Sequence, residues 1–449
     1  MSRAVASAGR HGRRALSSAA QASLAAALSF LVPGLGQLFN GQPRLAILLA
    51  IPALVVVGVL AALMTGAGGT VWLLDVRVLI GLVTVDLLLL GWRLFAVVHA
   101  HLGRSRLRWR GPATWATALL LIVTLGMHAV PAWYGARLAL SLTTISGEGR
   151  AAHPRSPPTE GPGSSTPPPS DETEIDSVEL DRRLSVLLIG TDAAAGRDMV
   201  LTDTIMIASL GATDPAPVLI SVPRDLYGVP LPDGRVYNAK LNSLRQYARD
   251  RPEEFPGGGT ETLKQTIADL VGMRIDHVAT VDIGGLRQIV DALGGVEVDV
   301  RQRIDDPQYR DPFTGQRGLS LAPGTFHMNG DLALAYVRSR LGPGDDDFVR
   351  AGRQQRLLNA LRRRIEEKGL VAALPSLLDV IDRQVRTDIS GDELPPLAQT
   401  VIDGDWSALR GEVLDPPRYV TPSTGPAGAY VLVPNLDAIR DRTAEILGR

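Results

Sequence analysis

Residues Leu184–Asp225 read LSVLLIGTDAAAGRDMVLTDTIMIASLGATDPAPVLISVPRD. Three apolar runs stand out: Leu184–Gly190, Asp203–Leu210 and Val218–Val222. Each has strand length, and each is bounded by glycine, proline or aspartate. The connections are too short for crossover helices, so the pattern predicts an antiparallel meander. In a meander, the end of the first strand, the start of the second and the end of the third share one sheet edge. Asp192, Asp203, Arg224 and Asp225 are expected to meet on that edge from well-separated positions.

Downstream, the pattern alternates between strands and helices, which predicts an α/β domain. Thr260 is placed to cap a helix over Glu261–Val271. His277–Asp282 reads as a strand, Gly285–Leu293 as a helix ending at Gly294-Gly295, and Val296–Val300 as a strand. Asn329 is placed to cap a helix over Asp331–Val337. That helix runs into Arg338-Ser339-Arg340, where an extended tail would point both arginines the same way. The helix opening at Asp347 carries an apolar stripe through Leu357/Leu358, Leu361 and Ile365. Traced back at helical spacing, the stripe passes through Arg350 and Gln354. A guanidinium on the inward face costs several kcal/mol (order of magnitude) unless an anion sits beside it. Residues 371–449 add helices over Ala373–Arg383, Leu394–Ile402 and Leu436–Leu447, with a strand over Tyr430–Val433.

Two carboxylates, Asp192 and Asp203, together with several arginines suit a diphosphate. Magnesium takes one or two carboxylates and completes its shell with phosphate oxygens and water, and guanidinium forks match phosphate geometry. The competing reading is structural, with Asp192 and Asp203 simply pairing with Arg224. The Gly257-Gly258-Gly259 run is not a nucleotide loop, because no Lys-Ser/Thr pair follows it. His277 and His327 read as structural. Asp225 is the simplest candidate for a general base, and orienting Arg224 is its alternative role.

The formal net charge of the 449-residue chain is -1, which argues against a nucleic-acid partner. Lysine occurs only at Lys240, Lys264 and Lys368, so a phosphate site here must rely on arginine. With no cysteine there are no disulfides and no thiolate chemistry. Residues 1–147 hold apolar runs over Leu45–Leu63, Val71–Val98 and Ala113–Leu140, each long enough to span a bilayer. A shorter apolar segment, Ala22–Phe39, is broken at Pro33-Gly34-Leu35-Gly36 and reads as re-entrant or interfacial. The segment Phe30–Gln42 (FLVPGLGQLFNGQ) is similar to a small two-helix membrane module of bacterial proteins. Arg3, Arg10, Arg13 and Arg14, with Arg104, Arg106, Arg108 and Arg110, place the N-terminus in the cytoplasm and everything after about residue 140 outside. Asp75 and Arg77 lie near an interface, leaving Asp86 as the deep charge of these spans. Residues 148–183 are polar and proline-rich and read as a disordered spacer.

One further set of observations is specific. Leu187–Asp192, Thr202-Asp203-Thr204, Ser221–Asp225, Lys240-Leu241-Asn242, Asp291–Val296, Leu334–Arg340 and Asp347–Gln355 occur in this order. In that arrangement the chain resembles the LytR-CpsA-Psr family over about Leu184–Ile365, within a domain expected to span 184–449. The resemblance implies a mixed, largely antiparallel sheet flanked by helices, in a domain that works outside the cytoplasm. It also implies a phosphotransferase that moves a glycopolymer, as its 1-phosphate, from a polyprenyl diphosphate lipid onto peptidoglycan. By position, Asp192 and Asp203 resemble the family's magnesium-associated (or manganese-associated) aspartates. Arg224, Arg338, Arg340, Arg350 and Gln354 resemble its diphosphate-binding set. This chain departs from the pattern at Leu201, where the family usually has arginine, and in the shortened loop Ala193–Val200, where Arg197 is a possible substitute. Extra residues, Gly344–Asp346, precede the last helix motif. A non-catalytic binder of polyprenyl phosphate lipids, or a hydrolase of the same diphosphates, stays open as an alternative.

Overall fold

The computed structural model describes residues 18–65, 71–103, 112–150, 183–192, 200–211 and 214–448. The N-terminal arginines, Arg104–Arg110, most of the proline-rich spacer, and the loop with Arg197 lie outside the described residues. The chain divides into two compact units, residues 1–69 with 77–137 and residues 70–76 with 138–449.

The first unit contains helices α1 (Ser18–Leu31), α2 (Leu35–Phe39), α3 (Pro43–Thr65), α4 (Val76–Leu102) and most of α5 (Pro112–Arg150). The expected break between α1 and α2 is present. Gly34 there adopts φ 105°, which a side chain would strain. A Cβ at Gly36 would lie 2.0 Å from the Ala25 carbonyl oxygen, so this turn packs only with glycine. Some polar groups in this apolar setting are matched internally. Ser29 Oγ donates to Gln37 Oε1 at 2.8 Å, and Gln37 Nε2 donates to the Ala96 carbonyl of α4 at 2.8 Å. Asp86 of α4 meets His128 Nδ1 of α5 at 2.8 Å, which gives this carboxylate a structural role. Two sequence expectations need correction. The Val71–Val98 run is not one helix: Val71–Leu74 forms a separate 3-10 turn and α4 starts at Val76. At the far end α5 runs on to Arg150, three residues past the expected start of the spacer.

In the second unit, β1 (Leu184–Thr191), β2 (Thr202–Leu210) and β3 (Val218–Ser221) form the expected antiparallel meander. Leu187, Ile189, Ile205, Ile207 and Ile220 are buried in its core. Gly190 faces Thr204 so closely that a Cβ would meet its side chain at 2.8 Å. Arg183, assigned above to the spacer, belongs to this core. Its buried guanidinium donates to the carbonyls of Ser209 and Ala216 at 3.1 and 2.7 Å.

The chain continues through the hairpin β4 (Tyr227–Pro230) and β5 (Val236–Lys240), then α6 (Leu244–Arg249), α7 (Gly258–Val271), β6 (His277–Asp282) and α8 (Ile283–Ala292). Strands β7 (Val296–Val300), β8 (Ile304–Arg310), β9 (Arg317–Leu321) and β10 (Gly324–Met328) lead to α9 (Gly330–Arg338) and α10 (Asp347–Lys368). After these come α11 (Leu370–Gln384), β11 (Val385–Thr387), α12 (Leu394–Asp403), β12 (Arg410–Val413), β13 (Val420–Thr424), β14 (Tyr430–Pro434) and α13 (Leu436–Leu447). The main sheet has the order β11-β6-β1-β2-β3-β12. β6 runs parallel to β1, and β12 parallel to β3, so the sheet is mixed. Thr260 does not cap α7, which starts two residues earlier at Gly258. Asn329 does cap α9, accepting from Leu332 N at 2.9 Å.

Candidate functional site

The site forms where the first three strands converge, and α10 closes it. The expected edge exists but is divided. Arg224 Nη1 donates to Asp203 Oδ1 at 2.5 Å, and Arg224 Nε donates to Asp347 Oδ2 at 3.1 Å. Asp225 lies farther from Arg224 Nε, at 3.9 Å, and pairs instead with Lys240 Nζ at 2.8 Å. Asp203 and Asp347 therefore hold Arg224 more closely than Asp225 does. Asp192 lies 3.8 Å from Arg338, whereas Asp203 makes the contact with Arg224 that the structural alternative calls for.

The tail of α9 behaves as its sequence suggests. Ser339 is extended at ψ 136° and buried, its Oγ donating to Asp306 Oδ2 at 2.9 Å. The same oxygen accepts the backbone N–H groups of Arg340 and Leu341 at 3.2 and 3.3 Å. Burial opposes ionisation of Asp306, yet these donors hold its carboxyl below the usual range. With Ser339 anchored there, Arg338 and Arg340 both line the open cavity.

Three consecutive aspartates open α10, each with a different partner. Asp345 is buried against Arg353. Asp346 caps the helix, its Oδ1 accepting from Phe348 N and Val349 N at 2.9 and 2.7 Å. Asp347 lies within 3.1 Å of Arg224, 3.4 Å of Arg350 and 3.7 Å of Arg340. The extra residues of this loop thus anchor the start of α10. Burial alone would raise the Asp347 carboxyl, but the guanidiniums of Arg350, Arg224 and Arg340 outweigh it and hold it below its ordinary value. Asp347 was assigned no role from the sequence. Its spacing of three residues from Arg350 was the available signal, whereas its contacts with Arg224 and Arg340 are long-range.

Arg350 is only 7% exposed, as its place on the apolar stripe requires. Nη2 reaches the Asp203 carbonyl at 3.4 Å, while the buried Nε has no hydrogen-bond partner. Burial lowers its pKa from the usual arginine value. Gln354, one turn on, makes only a long contact with the Val337 carbonyl at 3.5 Å. On another face of α10, Gln355 Nε2 donates to Ser221 Oγ at 3.0 Å and to the Glu412 carbonyl at 2.9 Å, fixing the helix to β3 and β12.

Two cavities meet at this row. An apolar groove of about 550 Å³ runs between the sheet and α8, α9 and α10, lined by Leu188, Met206, Val281, Leu286, Leu358 and Leu361 among others. Its volume is typical of a small-molecule site. A second cleft of about 330 Å³ has its own walls, including Asp225, Asp346, Phe348, Tyr430 and Leu432. Asp203, Thr204, Arg224, Arg340, Arg350 and Gln354 line both. Apart from Arg197, which lies outside the described residues, the residues proposed from the sequence all line one or both cavities, with Asp192 and Arg338 on the groove side and Asp225 on the cleft side. Leu201 also lines the groove, so the position where an arginine was expected adds apolar surface. His277 and His327 line neither cavity. They pair with Asp388 at 3.7 Å and Glu297 at 2.8 Å.

Among the described residues, no group of three or more His, Cys, Asp or Glu side chains is arranged to hold a metal. Asp192 and Asp203 nevertheless both line the groove beside the guanidiniums. Two hard carboxylates whose remaining shell comes from a phosphate-bearing ligand and water fit magnesium.

The chain is 25% identical over 232 residues to Biofilm regulatory protein A of Streptococcus mutans, covering 49% of this chain and 54% of that protein. It is 26% identical over 270 residues to the polyisoprenyl-teichoic acid–peptidoglycan teichoic acid transferase TagV of Bacillus subtilis, covering 59% and 64%. The chain thus spans between half and two thirds of the length of these relatives. The crystal structure of B. subtilis TagV matches with a TM-score of 0.46 at 24% identity, over 60% of this chain and 98% of that one. The crystal structure of protein gbs0355 from Streptococcus agalactiae matches with a TM-score of 0.49 at 20% identity, over 62% and 92%. The LytR_cpsA_psr family model matches residues 163–407, more than half of the chain, and the protein belongs to that family.

Proposed function

We propose that this protein transfers a glycopolymer phosphate from a polyprenyl diphosphate carrier to peptidoglycan. The observation that carries this reading is the apolar groove opening directly onto a row of guanidiniums. A carrier lipid has an isoprene chain that belongs in apolar surroundings, joined to a diphosphate that requires cationic donors. The chain would lie in the groove and the diphosphate against Arg224, Arg338, Arg340, Arg350 and Gln354. Arg350 Nε, buried without a partner, is a donor the diphosphate would satisfy.

In the transfer, an acceptor hydroxyl oxygen bonds to the phosphorus next to the glycan. The bond from that phosphorus to the bridging oxygen breaks, and its electron pair leaves with the polyprenyl phosphate. The hydroxyl proton passes to a carboxylate at the cleft, with Asp225 as the candidate. Guanidiniums fixed by Asp203 and Asp347 stabilise charge on the leaving phosphate without having to reorganise. Asp192 and Asp203 would hold magnesium or manganese, which would supply further neutralisation of the diphosphate.

The domain would stand outside the cell on a multi-pass membrane region, its N-terminus in the cytoplasm. Support for this comes from Val76–Leu102 and Ala113–Thr143, which are long and apolar enough to cross a bilayer, and from the placement of the arginines. A Ser165→Cys variant, in a chain with no other cysteine, should react with a membrane-impermeant thiol reagent in intact cells. Protection of that thiol would reverse the topology.

Leu201 in the groove favours a second reading, in which the domain holds a polyprenyl phosphate lipid without turning it over. The test is the full chain in nanodiscs with a glycan-bearing polyprenyl diphosphate, magnesium and peptidoglycan. Glycan bound to the wall supports transfer, free glycan phosphate indicates hydrolysis, and binding without either product indicates the second reading.

A further inference from the structure

One wall of the cleft beside the guanidinium row comes from a part of the chain that the family match does not reach. That match ends at residue 407. Val413, Tyr430 and Leu432, which form one wall of the cleft, come from β12 and the β13–β14 hairpin beyond it. The hairpin is fixed at the site itself, with Leu432 N donating to the Asp225 carbonyl at 3.0 Å and Leu432 bridging to Leu226. Tyr430 at the head of β14 is 52% exposed, so an aromatic face is presented to solvent at the cleft. Burial, and then the carboxylates of Asp225, Asp346 and Asp347, push its phenol above the usual value, and all three carboxylates line the same cleft.

We propose that this cleft is the subsite for the acceptor sugar, with Tyr430 as the platform for its ring. The inference rests on the transferase reading and adds where the second substrate enters. In-line displacement at phosphorus needs the attacking oxygen on the side away from the leaving group. With the isoprene chain in the groove, the polyprenyl phosphate departs toward the groove. The attacking hydroxyl therefore arrives through the other cavity that reaches the row, which is this cleft. The chemistry of the cleft suits a sugar. An exposed tyrosine face and the partly exposed Phe348 offer apolar surface for the C–H face of a pyranose. Asp225 and Asp346 offer carboxylate oxygens for its hydroxyls. Asp225 lines this cleft and not the groove, which puts the candidate base on the acceptor's side.

The test compares the full chain in nanodiscs with its Tyr430→Ala and Tyr430→Phe variants. The acceptor is a soluble uncrosslinked peptidoglycan oligomer. The donors are polyprenyl diphosphate with and without a disaccharide. Tyr430→Ala should raise KM for the oligomer about tenfold or more and leave the Kd of both donors unchanged. Tyr430→Phe, which keeps the ring, should hold KM within about twofold of the parent. An unchanged KM for the oligomer in Tyr430→Ala overturns the proposal while leaving the transferase reading intact. Weaker binding of the disaccharide-bearing donor alone also overturns it, assigning the cleft to the donor glycan. If the parent chain transfers nothing to the oligomer, the transferase reading itself fails, and this inference fails with it.

Discussion

Replacing Asp347 by asparagine should move stability and ligand affinity in opposite directions. Its carboxylate lies 3.1 Å from Arg224, 3.4 Å from Arg350 and 3.7 Å from Arg340, so one anion restrains three cations in the unliganded site. Asparagine keeps the shape and removes the charge. Arg350, with its side chain 9% exposed, then depends on a backbone carbonyl 3.4 Å away. Breaking a buried pair costs about 3–5 kcal/mol. Because the Asp347 side chain is itself 27% exposed, a loss at or just below the bottom of that range, about 2–3 kcal/mol, is expected. For a diphosphate on the same guanidiniums, the change removes a repelling charge. At a separation of roughly 7 Å and an effective dielectric of about 20, two unit charges interact by about 2 kcal/mol, worth more than tenfold in affinity. Denaturant melts of the parent and the variant, with and without a short-chain polyprenyl diphosphate, read both quantities from one preparation. Lower stability together with tighter binding supports the assignment. Weaker binding in a folded variant would refute the reasoning and make Asp347 a group that mainly aims Arg224.

Substitutions at three other positions test further contacts. Arg350→Ala should weaken carrier binding by about 1.5–3 kcal/mol, and Arg350→Lys should restore little because ammonium lacks the planar fork. A large fall in melting temperature with near-normal lipid affinity would make Arg350 structural. Asp306→Ala releases the three donors that fix the Arg338-Ser339-Arg340 tail, so KM for the carrier should rise; an unchanged KM would count against that role. The Asp388 carboxylate, accepting from His277 and outweighing burial, raises the pKa of His277. The stabilisation from this pair is complete below about pH 6.5 and is lost as pH rises through the higher native value. His277→Gln should flatten that part of a stability-pH profile. For Asp347, held low, the contribution is complete above about pH 4 and disappears as pH falls through its native value.

The parts of the fold that were legible in the sequence are those whose pattern is set locally. β6 and β7 coincide with apolar runs, and α13 starts and ends where its periodicity does. β12 escaped notice because Arg410–Val413 carries little apolar surface and is a strand only through pairing with β3. The hairpins β4–β5 and β8–β9 were missed for a similar reason, with proline and charge breaking their alternation. At α7, a cap at Thr260 was a reasonable reading of side-chain chemistry. Gly259, however, packs so closely on the Arg245 carbonyl that a Cβ would lie 1.9 Å away, and the helix starts before it. In the site, Arg350 was legible because a charge interrupted an apolar stripe. Asp347 and Asp306 were not, because their partners lie in other segments of the chain. The second cleft was equally hidden, since its walls come from segments scattered between Asp203 and Leu432.

The most direct test of the transferase account follows one phosphorus atom. The carrier is prepared with a radioactive label in the phosphate next to the glycan and incubated with the full chain in nanodiscs, magnesium and peptidoglycan. The account predicts that the label appears in the peptidoglycan together with the glycan, and that unlabelled polyprenyl phosphate is released in equal amount. Label released as free glycan phosphate, or retained on the lipid, would contradict it.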